Sequence, residues 1–275
     1  MTNSFVIKTY LDQLMFSTVR IETDDAQGKR RAATGVVFEL EVEENKYPFL
    51  VTTHSAVMHA QSGRVTFFQE IRGTPVIDKG YTLDIDNFDK LWYAHPGEDV
   101  DLAITPFVPF IKHIEESGVP TFFHAIGAET LLSEQELTET MGIEDVLLVG
   151  YLSSVWDPKH VLPIVRRGNL AVPGRIAWGG QRHMLIDMPL HAGLGGSPVF
   201  LQRDRQDMST ESIQFLGILA AANYFHRDPY DGANLAPMAD LYQKPGQQTV
   251  NIGVVIHAHL VVEVVYAYLR EKGFV

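Results

Sequence analysis

The run Ala192-Gly193-Leu194-Gly195-Gly196-Ser197-Pro198-Val199-Phe200 decides how this chain is read. Glycine holds three of the four positions 193 to 196. Residues without a Cβ let the backbone N–H groups of a tight turn converge on one point. The Pro-Val-Phe that follows has strand character and would hold that turn against a sheet.

The rest of the composition is that of an ordinary soluble globular protein. At 275 residues the chain can bury a sizeable core, as one large unit or as two small barrels. It is 45% hydrophobic and 20% charged. A net charge of −12 and a pI near 5.3 argue against nucleic acid or an anionic membrane as the main partner. The basic clusters Lys29-Arg30-Arg31 and Arg166-Arg167 read as solvated surface. Cysteine is absent, so disulfides are impossible, which suits a reducing compartment. The opening Met1-Thr2-Asn3-Ser4 has neither the basic region nor the apolar core of a signal peptide. No apolar run approaches the roughly 18 residues of a membrane span. The expected location is the cytoplasm.

Short strands dominate the pattern. Phe38, Leu40 and Val42 alternate with Glu39, Glu41 and Glu43, the period of a half-buried strand. Asn45-Lys46 is read as a turn and Tyr47 to Thr52 as the returning strand. Residues 64–70, 91–93 and 101–104 are further strand candidates. A short helix is expected at 110–117, and Ser133 with Glu136 forms the capping box of another. Strand signals resume at 145–150 and 184–187, and recur at 197–202, 215–222 and 251–256. This pattern gives two strand-rich halves joined near 125–143, and suggests sandwiches or barrels. Residues 226–250, with Asp228-Pro229-Tyr230-Asp231-Gly232 and Pro245-Gly246, read as a long loop. The tail from His259 to Lys272 reads as a helix despite its valines, because Arg270, Lys272 and Gly273 are good terminating residues.

Three segments together resemble the trypsin-like serine peptidases. Thr34-Gly35-Val36-Val37-Phe38 with Leu50-Val51-Thr52-Thr53-His54-Ser55-Ala56-Val57 is similar to the pattern that carries the family's histidine. Asp99-Val100-Asp101-Leu102-Ala103 is similar to its aspartate segment, and residues 193–200 to its serine segment. Their order along the chain is the family's order. The stretch Val149-Gly150-Tyr151, Trp156-Asp157 and Leu162 to Gly168 resembles a bacterial cytoplasmic branch. The resemblance covers roughly residues 15 to 270. It implies an all-β fold of two packed six-stranded antiparallel barrels, with short connector helices and a C-terminal helix. Residues 1–140 would form the first half and 141–275 the second.

The family's chemistry needs a serine hydroxyl, an imidazole to take its proton, and a carboxylate to orient that imidazole. Carried over position by position, the carboxylate is present as Asp101. The histidine position falls on Ser55, with His54 one residue early, and the nucleophile position falls on Gly195. The resemblance further implies an oxyanion hole from the N–H groups of Gly193 and Gly195. Pro189, at the specificity position, gives no case for selecting a basic side chain. The leading expectation is a catalytically inactive pseudoprotease, without cofactor, that binds a peptide or protein segment in the inter-barrel cleft. One alternative is an active hydrolase using a shifted His54 and an unconventional nucleophile, water or Ser197. Another is a structural or interaction subunit, favoured if the 226–250 segment fills the cleft. Asp84-Ile85-Asp86 fails as a calcium loop because Phe88 and Asp89 break the spacing. The pair His257 and His259 lacks a third ligand and reads as helix entry, so no metal is expected.

Overall fold

The structure is a computed structural model that describes residues 4–226, 234–238 and 247–275. The N-terminal half holds α1 (Tyr10–Met15), β1 (Thr18–Asp25), β2 (Arg30–Val42), β3 (Asn45–Thr52) and the one-turn helix α2 (His54–Val57). It continues with β4 (Ala60–Ile71), β5 (Thr74–Asp86), β6 (Tyr93–Ala94), β7 (Ala103–Pro106), α3 (Val108–Glu116), β8 (Thr121–Phe122) and β9 (Ile126–Gly127). These strands form one sheet in the order β5-β4-β1-β2-β3-β7-β6, with β8 beside β4 and β9 beside β2.

The alternation in β2 works as the sequence implies. Phe38 and Leu40 are buried while Glu39 and Glu41 lie toward solvent. Lys46 reaches back across the hairpin to Glu39 at 2.7 Å. The turn falls on Glu43-Glu44 rather than on Asn45-Lys46. Val42 stands opposite Asn45, leaving two residues between the strands, and both adopt positive φ, 49° and 64°. A two-residue hairpin of this twist demands that conformation at both centres. Residues 91–93 are split between the end of a 3-10 helix (Phe88–Leu91) and β6. Among the described residues no strand pairs β5 with β7, so the first sheet stays open there. Helix α3 covers the gap by packing Phe110 and Ile114 into a cluster with Phe67, Leu83, Phe88 and Phe107.

The C-terminal half begins with α4 (Glu134–Glu139), capped by Ser133 and Glu136 as expected. It then holds β10 (Asp145–Gly150), β11 (Ile164–Leu170), β12 (His183–Asp187), β13 (Pro198–Gln202), β14 (Ile213–His226), β15 (Asn234–Pro237), β16 (Gln247–His257) and α5 (Ala258–Glu271). Its strand order is β13-β10-β11-β12-β16-β14-β15, and β14 also pairs with β13, closing a six-stranded barrel with β15 outside it. Residues 226–250 are therefore not one loop. β14 runs to His226, β16 starts at Gln247, and β15 lies between them. The stretches 228–232 and 245–246 lie outside the described residues.

One apolar cluster joins the halves. Val36, Phe38 and Val51 from the first sheet pack with Val149, Phe200, Phe215 and Ile218 from the barrel. Helix α5 presents Val261, Val264, Val265 and Leu269 to the same cluster. That spacing is one helical face, and its burial outweighs the modest helix propensity of valine. At the end of α5, Phe274 N–H bonds Leu269 O (2.9 Å) and Gly273 N–H bonds Arg270 O (3.1 Å), with Gly273 at φ +73°. This is a Schellman stop. Among the described residues no helix is long and apolar enough to cross a membrane.

His257 caps the other end of α5, its Nδ1 accepting from His259 N–H at 3.3 Å. His259 Nε2 lies 3.0 Å from Leu132 O. The two rings stack at 4.8 Å. Among the described residues no cluster of metal-ligating side chains occurs. Burial, with smaller contributions from His259 and Arg182, pushes His257 down to about 4. The folded state therefore holds this ring neutral where the unfolded chain, titrating near 6.5, takes up a proton. Its stabilising share is full above pH 6.5 and falls away between there and pH 4, amounting to roughly 3 kcal/mol. Urea unfolding of the parent and of His257→Asn, which keeps a cap without the titration, should show the difference between them shrinking as pH drops through that window.

Candidate functional site

The glycine run lies between β12 and β13 and is shaped by two left-handed residues, Gly193 at φ +98° and Gly196 at φ +83°. Leu194 N–H bonds His191 O (3.3 Å) and Ser197 N–H bonds Leu194 O (3.0 Å), so the turn is closed by its own backbone. Ser153 N–H bonds Ala192 O at 2.9 Å, fastening it to the segment after β10. The N–H groups of Gly193 and Gly195 donate to no backbone carbonyl among the described residues. Both residues are buried.

Thr34 of β2 ties this turn to the first sheet. Its N–H bonds Gly195 O (2.8 Å), and its hydroxyl donates to Gly193 O (3.1 Å) while accepting from Tyr151 N–H (2.9 Å). Thr52 Oγ1 donates to Thr34 O at 2.8 Å. Each of these groups is buried, where a lost partner costs about 1–3 kcal/mol. Thr34→Val keeps the shape and leaves Tyr151 N–H and Gly193 O unpaired. It is expected to cost roughly 2–4 kcal/mol in urea unfolding.

Three residues beyond Thr52, Ser55 sits on α2 against Asp101, which enters β7. Asp101 accepts the Ser55 backbone N–H at 2.6 Å and the Ser55 hydroxyl at 2.7 Å. Both carboxylate oxygens are thus engaged by one serine, in short charge-assisted bonds. His54 is the first residue of α2, half-buried, and its carbonyl accepts from Met58 N–H. Ser197 is completely buried, and its Oγ has no hydrogen-bond partner among the described residues. It faces Gly150, where even a methyl group would overlap it. Pro189 is exposed, and its carbonyl accepts from Arg166 at 2.9 Å.

The arrangement therefore brings together a carboxylate, a serine at its side and a backbone turn with two available donors. It contains no hydroxyl or thiol at 195 and no imidazole on the carboxylate at 55. Beside Asp101 lies a cavity of about 180 Å³, lined also by Asp99, His183, Ala220, Ala221 and Pro237. His183 is held below its usual value by burial, against a smaller opposing pull from Asp99. The role of Thr34 and the presence of β15 at this cavity were not read from the sequence. Thr34 enters the sequence reading only as part of the resemblance, and a four-residue strand ending in proline carries little signal.

No protein-family model matches the chain, and no curated protein matches it. Solved structures do. The HtrA-type protease AlgW, solved with a tripeptide, superposes with a TM-score of 0.51 at 14% identity, covering 96% of this chain and 63% of that one. HL collagenase superposes with a TM-score of 0.50 at 11% identity, covering 100% of this chain and 99% of that one. The fold is that of the trypsin-like serine proteases. This chain spans about 63% of the length of AlgW. At such identities the likeness concerns the fold alone.

Proposed function

We propose that the chain is a catalytically inactive protein of trypsin-like fold that holds a peptide or protein segment at its inter-barrel cleft. The observation that carries this reading is Ser55, whose N–H and hydroxyl donate to Asp101 at 2.6 and 2.7 Å where the family's imidazole would stand. Ser55 at the position of the family's imidazole supplies no base, and Gly195 offers no side-chain atom to be deprotonated. What persists is backbone: the two turn N–H groups, suited to donating to a carbonyl oxygen, and the β14 edge beyond them, on which β15 sits. The absence of cysteine supports a cytoplasmic setting, and the resemblance along 149–168 supports a bacterial one.

Labelling with an active-site fluorophosphonate tests the inactivity. No serine should react, and stoichiometric labelling of any serine would overturn it. Ser197 in particular should stay unmodified, since it is sealed from solvent. An array of extended peptides probed with the intact protein tests the binding half. Uniform absence of binding would count against a peptide-holding cleft and favour a purely structural subunit.

A further inference from the structure

We infer that β15 is a resident segment seated on the edge of β14 where an incoming peptide would pair, and that a partner's extended segment binds by displacing it. This rests on the peptide-holding reading of the cleft. One edge of β14 pairs with β16, from Gly217 opposite His257 to His226 opposite Gln247. The other edge pairs with β13 only as far as Ile218 opposite Pro198. At that point Gly196 N–H bonds Leu219 O and Leu219 N–H bonds Ser197 O, both at 2.9 Å, fixing β14 to the glycine turn. A segment laid across the turn in extended form would continue onto this edge. The edge is taken. Ala221 pairs with Pro237, Ala222 with Ala236, Asn223 with Leu235 and Tyr224 with Asn234.

Two features make the resident strand exchangeable. It is four residues long and ends in Pro237, which has no N–H to donate. Its described side-chain anchors are Ala236 and Met238, the latter fully buried in the cluster of the second barrel with Leu132, Val146 and Leu219. β14 presents small side chains, Ala221 and Ala222, to the first two pairs of this edge. The partner this edge fits is an extended segment with small side chains, bound chiefly through its main chain. Pro237 also walls the cavity beside Asp101, so displacement would open that cavity to the partner.

Because His226 stands opposite Gln247, residues 227–246 can be replaced by a two-residue Asn-Gly turn. The probe is a fluorescein-labelled peptide with the sequence of residues 233–239, followed by anisotropy. The shortened chain should bind it about tenfold or more tightly than the intact chain, because a tethered strand competes at an effective concentration near the millimolar range. Equal binding by both chains would overturn the inference and leave the peptide-holding cleft standing. No binding by a shortened chain with a native circular dichroism spectrum would also overturn it, and the peptide array would then decide the broader reading. If the shortened chain does not fold, Met238→Ser in the full-length protein loosens the anchor and should raise probe binding. Unchanged binding in that variant would equally overturn the inference.

Discussion

Ser55→His combined with Gly195→Ser is expected to yield a protein that reacts with a fluorophosphonate, where the parent and both single variants do not. The expectation follows from Asp101. Its oxygens already receive the backbone N–H and side chain of residue 55, so an imidazole placed there has a carboxylate to orient it. Gly195, unlike Gly193 and Gly196, does not have positive φ, so a serine meets no backbone strain of that kind. Neither change alone suffices, since a hydroxyl without a base and a base without a hydroxyl are both idle. Catalytic groups of this sort are strongly non-additive, and a complete triad is worth on the order of 10⁶-fold in turnover in the best-measured protease. The double variant should exceed either single one by at least about 10²-fold in labelling rate and in hydrolysis of a small activated ester. A small probe is the right one, because it needs the turn and the nucleophile but not the strand edge held by β15. Labelling of Gly195→Ser alone at the rate of the double variant would sink the assignment of residue 55.

Gly196→Ala should unfold the protein or nearly so. Gly196 has φ +83°, a region where a Cβ costs about 1–2 kcal/mol by itself. The added methyl would also overlap the Thr34 carbonyl oxygen and Thr52 Oγ1, which are themselves hydrogen-bonded to each other. Relieving that overlap means breaking the Thr52 bond or moving β2 away from the turn. A loss of about 4 kcal/mol or more is expected, a large part of the roughly 5–15 kcal/mol that holds a typical domain together. Circular dichroism with urea titration would show it as a midpoint shift or as an unfolded chain in buffer. Gly195→Ala is the matched control, because its backbone is not left-handed, and it should remain folded.

The sequence made the two strand-rich halves legible wherever burial is one-sided. β2 alternates along Phe38, Glu39, Leu40 and Glu41, and its period survives intact in the sheet. The pairing of residue 55 with residue 101 was legible through the resemblance, because both lie within short, ordered motifs. Less visible was anything set by long-range backbone pairing. The hairpin at Glu43-Glu44 carries no glycine or asparagine, so its left-handed turn residues gave no signal. β5 is read only as a failed calcium loop around Asp84 and Asp86, since half of it is polar and its partner strand lies on one side, with a single bridge from Ser4 on the other. β15 owes its existence to a vacant edge on β14, a fact of tertiary structure that no local window contains. The open side of the first sheet escaped notice for the same reason.

The bonds made by Thr34 separate two things that are easily taken as one. The glycine turn keeps its shape through Thr34 of the first sheet and main-chain groups of its own half at Tyr151 and Ser153. None of those groups is a proton carrier. Chemistry at this cleft could thus be erased by changing residues 55 and 195 without disturbing the joint between the barrels. The same joint makes the two barrels a single mechanical piece at this point. Any sliding of one barrel against the other would be felt first as a change in where the Gly193 and Gly195 N–H groups aim.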